Sequence, residues 1–316
     1  MYKFLKYCFY LLLILAASLT IYIYMNQAPD KSVEELSQRW AQPPSQFLNI
    51  VGMNIHLRDE GPKTDQEPIV LIHGTGASLH TWDGWVDALK EQRRVIRFDL
   101  PGFGLTGPDP KNNYKIERYV EVVIALLDEL NIQKAVLGGN SLGGYVSWAS
   151  AVLHPNRVSA LVLVDASGYH FKPESVPIAF RLSQNPVTSA ILQNVLPKSL
   201  VERSIKNLYG NPNLVSDELV TRYYELALSE GNREALKRRF DQSFPGLLAD
   251  KIKTISVPTL IIWGAKDRLI PAAFGKRFNQ EIVNSELVVF ENLGHVPHEE
   301  DPETTVLVVK SFLEKN

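Results

Sequence analysis

Cysteine is almost missing: among 316 residues there is one, Cys8. That excludes an intramolecular disulfide framework and a thiolate zinc cluster. An excess of charge is missing too. Lys and Arg total 33, Asp and Glu 35, for a formal charge of -2, so no global basic field points to nucleic acid. Internal repeats and low-complexity tracts are not visible. Hydrophobic residues make up 45% and charged residues 22%, a balance that excludes a mainly disordered, a collagen-like or a polytopic membrane chain. At roughly 150 residues per domain, the length admits one large domain or two small ones.

What is present starts with an uneven distribution of apolar residues. From Tyr7 to Met25 the chain carries no charge, with Lys3 and Lys6 before the run and Asp30, Glu34 and Glu35 after it. A helix of about 20 apolar residues crosses a bilayer core. Residues 1–25 therefore read as an uncleaved signal anchor, a single transmembrane helix. The positive-inside rule puts the N-terminus in the cytoplasm and the rest on the far side. The alternative is secretion after cleavage of a signal peptide, although the apolar stretch is long for one and Asn26-Gln27-Ala28 is a poor cleavage site. Cys8 precedes the apolar run, which gives no support to a lipoprotein attachment site. Residues 26–46, polar and containing Pro29, Pro43 and Pro44, read as a stalk with one short helix.

From Phe47 onward short β-branched runs alternate with amphipathic stretches. Phe47–Val51 and Met53–Arg58 flank Gly52 as a hairpin. Strands are expected at Ile69–His73, Val95–Phe98, Ala135–Leu137, Leu161–Val164, Thr259–Trp263 and Leu287–Phe290. Helices are expected at Leu79–Lys90, Ile116–Leu130, Leu142–Leu153, Ala272–Gln280 and Pro302–Leu313. Such alternation implies an α/β fold with a mostly parallel sheet covered on both faces. Residues 168–254 break the rhythm: they hold several prolines and helical segments such as Ser199–Leu208 and Asp217–Leu228. They read as a helical cap inserted into a core formed by residues 47–167 and 255–316.

Three motifs carry chemistry. Gly139-Asn140-Ser141-Leu142-Gly143 matches G-x-S-x-G between a strand and a helix, where glycines let the backbone close tightly around an exposed serine. A serine needs an adjacent base. Asp267 follows the strand ending at Trp263, and His295 follows the strand ending at Phe290. The order Ser141, Asp267, His295 is that of a serine-hydrolase triad, with every member at a strand end. The turn His73-Gly74-Thr75-Gly76 supplies the fourth element. The backbone N–H groups of Thr75 and Leu142 are the expected oxyanion hole, with Gly74, Asn140 and Val296 beside the substrate. His73 reads as structural. Asp165, at the end of the strand Leu161–Val164, is a substitute for the acid or pins its turn.

These motifs resemble the α/β-hydrolase fold, as do Asp99-Leu100-Pro101-Gly102-Phe103-Gly104 and Gly294-His295-Val296-Pro297-His298-Glu299-Glu300-Asp301-Pro302-Glu303. The resemblance extends from about Phe47 to the C-terminus. It is similar to capped esterases and lipases of the Moraxella lipase and membrane-anchored monoacylglycerol lipase type. It implies an eight-stranded, mostly parallel sheet flanked by helices, and hydrolysis of carboxylic esters through an acyl-enzyme. The substrate would be a small lipid or medium-chain ester such as a monoacylglycerol. Neither metal nor organic cofactor is expected, and the oligomeric state is left open. Haloalkane dehalogenases and epoxide hydrolases place aspartate where Ser141 stands. Hydrolases of carbon–carbon bonds in ring-cleavage diketones share Asn140-Ser141, but usually have tryptophan where Val296 stands. They remain an alternative, as does a catalytically silent binding protein on the same fold. Phe171, Phe180, Leu182, Ile191, Leu192 and Leu196 could line an acyl pocket. The basic run Lys237-Arg238-Arg239 reads as a solvated helix face or as a contact for anionic headgroups.

Overall fold

The structure is a computed structural model that describes residues 2–170, 172–244 and 246–316, with Leu19 through its backbone alone. Helix α1 (Tyr2–Met25) rises about 36 Å at 1.5 Å per residue and has the length and apolar composition of a membrane span or a signal sequence. The segment expected as a stalk carries helix α2 (Val33–Trp40) and is not free of the globular part. Leu36 and Trp40 are buried against Leu105 and Leu226. Trp40 Nε1 donates to Glu225 at 2.8 Å. The reason is that its apolar residues fall one helical turn apart, so a polar segment still presents one apolar edge.

Eight strands form one sheet: β1 (Ser45–Ile50), β2 (Met53–Glu60), β3 (Ile69–Ile72), β4 (Val95–Phe98), β5 (Ala135–Asn140), β6 (Val158–Val164), β7 (Thr259–Gly264) and β8 (Ser285–Phe290). Their order is β1-β2-β4-β3-β5-β6-β7-β8. The first two pairings are antiparallel and the rest parallel. Every residue of β3, β4, β5 and β7 is buried, which is why Ile69–Ile72 and residues 260–263 read as continuous apolar runs instead of alternating ones. Burying each Leu, Ile or Val there stabilises by about 1.5–3 kcal/mol.

Helices cover both faces. On one lie α4 (Ile116–Glu129), α5 (Leu142–Leu153) and α11 (Ala273–Glu281), with Leu126, Trp148 and Phe278 in a common core. On the other lie α3 (Asp83–Leu89) and α13 (Pro302–Lys315), joined through Trp85, Val86 and Phe312. Between β6 and β7 the chain forms α6 (Ile178–Gln184), α7 (Pro186–Leu192), α8 (Lys198–Leu208), α9 (Asp217–Ala227) and α10 (Asn232–Asp241). The short α12 (Pro297–Glu300) precedes α13. The strand order reverses beside β3, between β4 and β5. In open α/β sheets the crevice outside the C-terminal strand ends at such a point is where ligands bind.

Candidate active site

The chain leaves β5 at Asn140 and enters α5 at Leu142, so Ser141 alone makes the turn. Its φ of 55° and ψ of -112° lie where non-glycine residues pay roughly 1–3 kcal/mol of strain. Close packing enforces the turn. A Cβ on Gly139 would stand 2.2 Å from the Gly143 backbone, and one on Gly143 would stand 2.0 Å from the Ile72 carbonyl oxygen. The Ser141 carbonyl accepts from the N–H and the hydroxyl of Ser167, both at 3.0 Å.

His295 is buried, and its Nδ1 lies 2.7 Å from Asp267 Oδ2. A carboxylate only accepts, so Nδ1 carries the proton and Nε2 keeps the lone pair of a base. Asp267 Oδ1 accepts from the backbone of Leu269 and Ile270 at 2.8 and 2.9 Å, which fixes the carboxylate. The histidine loop is fastened twice. The His295 N–H donates to the Leu208 carbonyl at 2.7 Å. Glu300 accepts from the N–H groups of Gly210, Asn211 and Gly294 at 2.7–2.9 Å. Glu300 stands in the histidine-loop motif, but its fastening role was not legible in the sequence, because two of its three partners, Gly210 and Asn211, lie on another segment.

Ser141, His295, Gly74, Thr75, Asn140 and Val296 line one cavity of about 470 Å³. Leu142 does not line it; it is buried at the start of α5, beside a second cavity. Asn140 does more than face the cavity: its Nδ2 donates to the carbonyls of Val164 (3.2 Å) and His295 (2.9 Å), tying the serine turn to the histidine loop. Gly74 allows its loop to approach, since a Cβ would meet Asn140 Oδ1 at 2.8 Å. His73 accepts the Leu100 N–H on Nε2 at 2.9 Å, so Nδ1 donates to the Gly74 carbonyl at 2.7 Å. Burial keeps that imidazole neutral by lowering its pKa.

Of the expected acyl-pocket residues, Phe180 lines this cavity. Phe180, Leu192 and Leu196 line an apolar branch of about 100 Å³ that shares Thr75, Phe180, Leu208 and Tyr223 with it. Leu182 and Ile191 line neither, and Ile191 is exposed. Phe171 lies outside the described residues.

Asp165 is fully buried next to Asp267. Burial first, then the Asp267 charge, push its carboxyl well above the usual range. Its Oδ1 accepts the Gly264 N–H at 3.0 Å. Atoms of Asp165, Asp267 and His295 fall within 4.8 Å of one another, a spacing that could suggest a metal site. The donor set does not fit one. Two ligands of a tetrahedral zinc at about 2.0–2.1 Å sit roughly 3.3 Å apart, whereas the His295–Asp267 contact of 2.7 Å is that of a direct hydrogen bond.

Residues 67–302 match the alpha/beta hydrolase fold family. A 2-hydroxy-6-oxo-2,4-heptadienoate hydrolase of Pseudomonas putida is 33% identical over 271 residues, 83% of this chain and 93% of that protein. The solved structure of a meta-cleavage product hydrolase from Pseudomonas fluorescens superposes with a TM-score of 0.74 at 27% identity, over 85% of this chain and 97% of that one. A membrane phospholipase A superposes with a TM-score of 0.74 at 25% identity, over 100% of this chain and 99% of that one.

Proposed function

Since the chain belongs to the α/β-hydrolase family, we propose that it is a serine hydrolase that attacks a carbonyl carbon with Ser141. The observation that carries this is the buried His295–Asp267 pair at 2.7 Å sharing a cavity wall with Ser141. His295 Nε2 takes the Ser141 proton as the hydroxyl attacks. The backbone N–H groups of Thr75 and Leu142 hold the oxyanion. The imidazolium, held in place by Asp267, then protonates the leaving group, and the same nitrogen later activates water to free the acyl group. A fluorophosphonate probe reports an activated serine. Labelling of the full chain and its loss in a well-folded Ser141→Ala variant are the expected results. An unlabelled wild type or a labelled Ser141→Ala protein would overturn the assignment.

For the substrate we infer a lipid or medium-chain ester, with residues 168–254 acting as a cap over the strand ends. Its support is the apolar branch beside Thr75. Leu196, Val201 and Ile205 of that branch pack in one cluster with Ala28, just past α1. The Leu196 N–H donates to the Asn26 carbonyl at 3.2 Å. An acyl chain in this branch lies where α1 leaves the domain. If α1 is an anchor with Lys3 and Lys6 on the cytoplasmic side, the domain sits beside the outer leaflet. The full-length likeness to a membrane phospholipase A agrees with this reading.

The second reading is hydrolysis of a carbon–carbon bond in a ring-cleavage diketone, and by name the relatives favour it over the ester. Side-by-side turnover of monoacylglycerol, a p-nitrophenyl ester series and a coloured meta-cleavage dienoate separates the two. Loss of the dienoate colour without ester turnover would replace the lipid reading. A steep preference for acetate would remove it.

A further inference from the structure

The run Lys237-Arg238-Arg239 splits once it is wound on α10. Lys237 Nζ meets Asp241 at 2.5 Å, and Arg238 Nε meets Glu234 at 2.9 Å. Both pairs lie on the outer face. Arg239, about 100° further round the helix, turns inward and has no acidic partner among the described residues. Its Nε is sealed from solvent without a hydrogen-bond partner. The ring of Phe240 lies beneath its guanidinium, at 5.2 Å. Burial lowers its pKa, and the Tyr119 hydroxyl offsets this only in part.

Arg239 lines the cavity that holds Ser141 and His295. It also lines a neighbouring cavity of about 260 Å³ with Tyr114, Lys115 and Tyr119. Tyr145, Arg239 and Ser243 belong to both walls, so the guanidinium stands where the two spaces meet. The acidic groups on these walls are Asp241, already held by Lys237, and Glu117. A half-buried guanidinium without an acidic partner leaves its paired N–H donors unmatched. An anion entering the cavity would be its missing partner, and guanidinium matches carboxylate or phosphate through paired N–H donors.

We propose that Arg239 recognises a substrate bearing an anionic oxygen group, a carboxylate or a phosphate, at the end remote from the carbonyl that Ser141 attacks. This rests on the serine-hydrolase reading of the cavity. The test therefore has one arm that needs no turnover. In that arm, calorimetry on the full chain compares n-hexyl phosphate and hexanoate with hexanol. In the other arm, kcat/KM is measured for two matched pairs. The first is the mono-p-nitrophenyl ester of adipic acid against p-nitrophenyl hexanoate. The second is 1-hexanoylglycerol 3-phosphate against 1-hexanoylglycerol. The wild type should prefer the charged member of at least one pair, and the responding pair names the group.

Arg239→Met should lower the charged-to-neutral ratio about 10- to 100-fold, chiefly through KM, with a matching loss of anion binding. Arg239→Lys should restore part of both. Because the substitution removes an unpaired, half-buried charge, the Arg239→Met melting temperature should stay level or rise. An unchanged ratio, equal binding of hexyl phosphate, hexanoate and hexanol by the wild type, or an Arg239→Met protein that unfolds would each overturn the proposal. Arg239-dependent anion binding in a wild type that cleaves none of these esters would sink the ester reading and leave the anion site standing.

Discussion

Two aspartates approach His295, the proposed base, and substituting them separately decides which one serves it as the acid of the proposed triad. An atom of Asp165 and one of Asp267 lie no more than 4.8 Å apart. At an effective dielectric of about 20, two full negative charges at that distance repel by roughly 3.5 kcal/mol, before the burial of either is counted. One proton therefore stays on the pair. It belongs on Asp165, whose carboxyl is raised by burial and by the Asp267 charge, because Asp267 already accepts from His295, Leu269 and Ile270. Asp165→Asn replaces a neutral acid with a neutral amide and should keep kcat/KM within about threefold. Asp267→Asn removes the acceptor that fixes the imidazole tautomer and should cost about 10³- to 10⁴-fold. Turnover of p-nitrophenyl butyrate by both variants, with thermal melts to verify folding, is the assay. The same proton has a stability signature. A carboxyl raised in the folded state binds more protons there than in the unfolded chain, so its contribution is full below the model-compound value of 3.8 and fades as pH rises through the folded pKa. Asp165→Asn should abolish that fade. A folded Asp165→Asn enzyme that loses as much activity as Asp267→Asn would refute the assignment.

Three further outcomes follow from the packing. Asp99 accepts from His56 Nδ1 at 2.7 Å and from the N–H groups of Leu79 and Leu105 at 2.7 and 2.8 Å, so Asp99→Asn should destabilise by about 3–5 kcal/mol in urea titration. Burial alone would raise the Asp99 carboxyl, but His56 and its neighbours hold it below the usual range; its stabilisation is thus present above pH 3.8 and lost as pH falls, which acid titration of the wild type against Asp99→Asn would display. Gly143→Ala forces a methyl to 2.0 Å from the Ile72 carbonyl and should cost roughly 1–3 kcal/mol while slowing fluorophosphonate labelling, measured by melting and by labelling rate. Ser45→Ala should leave the stoichiometry of labelling at one per chain, with the adduct mapped by peptide mass to Ser141.

Much of this fold was legible because its strands are buried on both faces. Val95–Phe98 and Leu142–Leu153 fall where the periodicity puts them. The deviations have local causes. The strand expected at Ala135–Leu137 runs on to Asn140, because Gly138 is a strand glycine held against Leu71: a Cβ there would stand 2.9 Å from its methyl. The single helix expected over Leu79–Lys90 divides at Trp82 into a tighter turn, whose first N–H, that of Leu79, is held by Asp99, and a short helix. Helices α6, α7 and α10 escaped individual notice because they are short, of at most ten residues, and their stability comes from packing on neighbours. Glu300 and the inward turn of Arg239 depend on contacts and helix phase that a linear motif does not carry.

Residue types alone would have been a poor guide even at the site. Away from the candidate site the molecule holds a Ser-His-Asp chain: Ser45 Oγ lies 2.9 Å from His56 Nε2, and His56 Nδ1 lies 2.7 Å from Asp99. Its distances match those expected of a triad, yet its backbone argues otherwise. Ser45 opens an extended strand in register with Arg58, whose Nε donates to the same hydroxyl at 2.9 Å. No helix starts beside it to aim N–H groups at one point. Ser141 instead stands at φ 55° where a strand becomes a helix, with Gly74 packed beside it: a Cβ on that glycine would stand 3.3 Å from the Ser141 Cβ. The motif G-x-S-x-G was informative because it reports that backbone: two glycines whose missing Cβ atoms let the turn close around the serine.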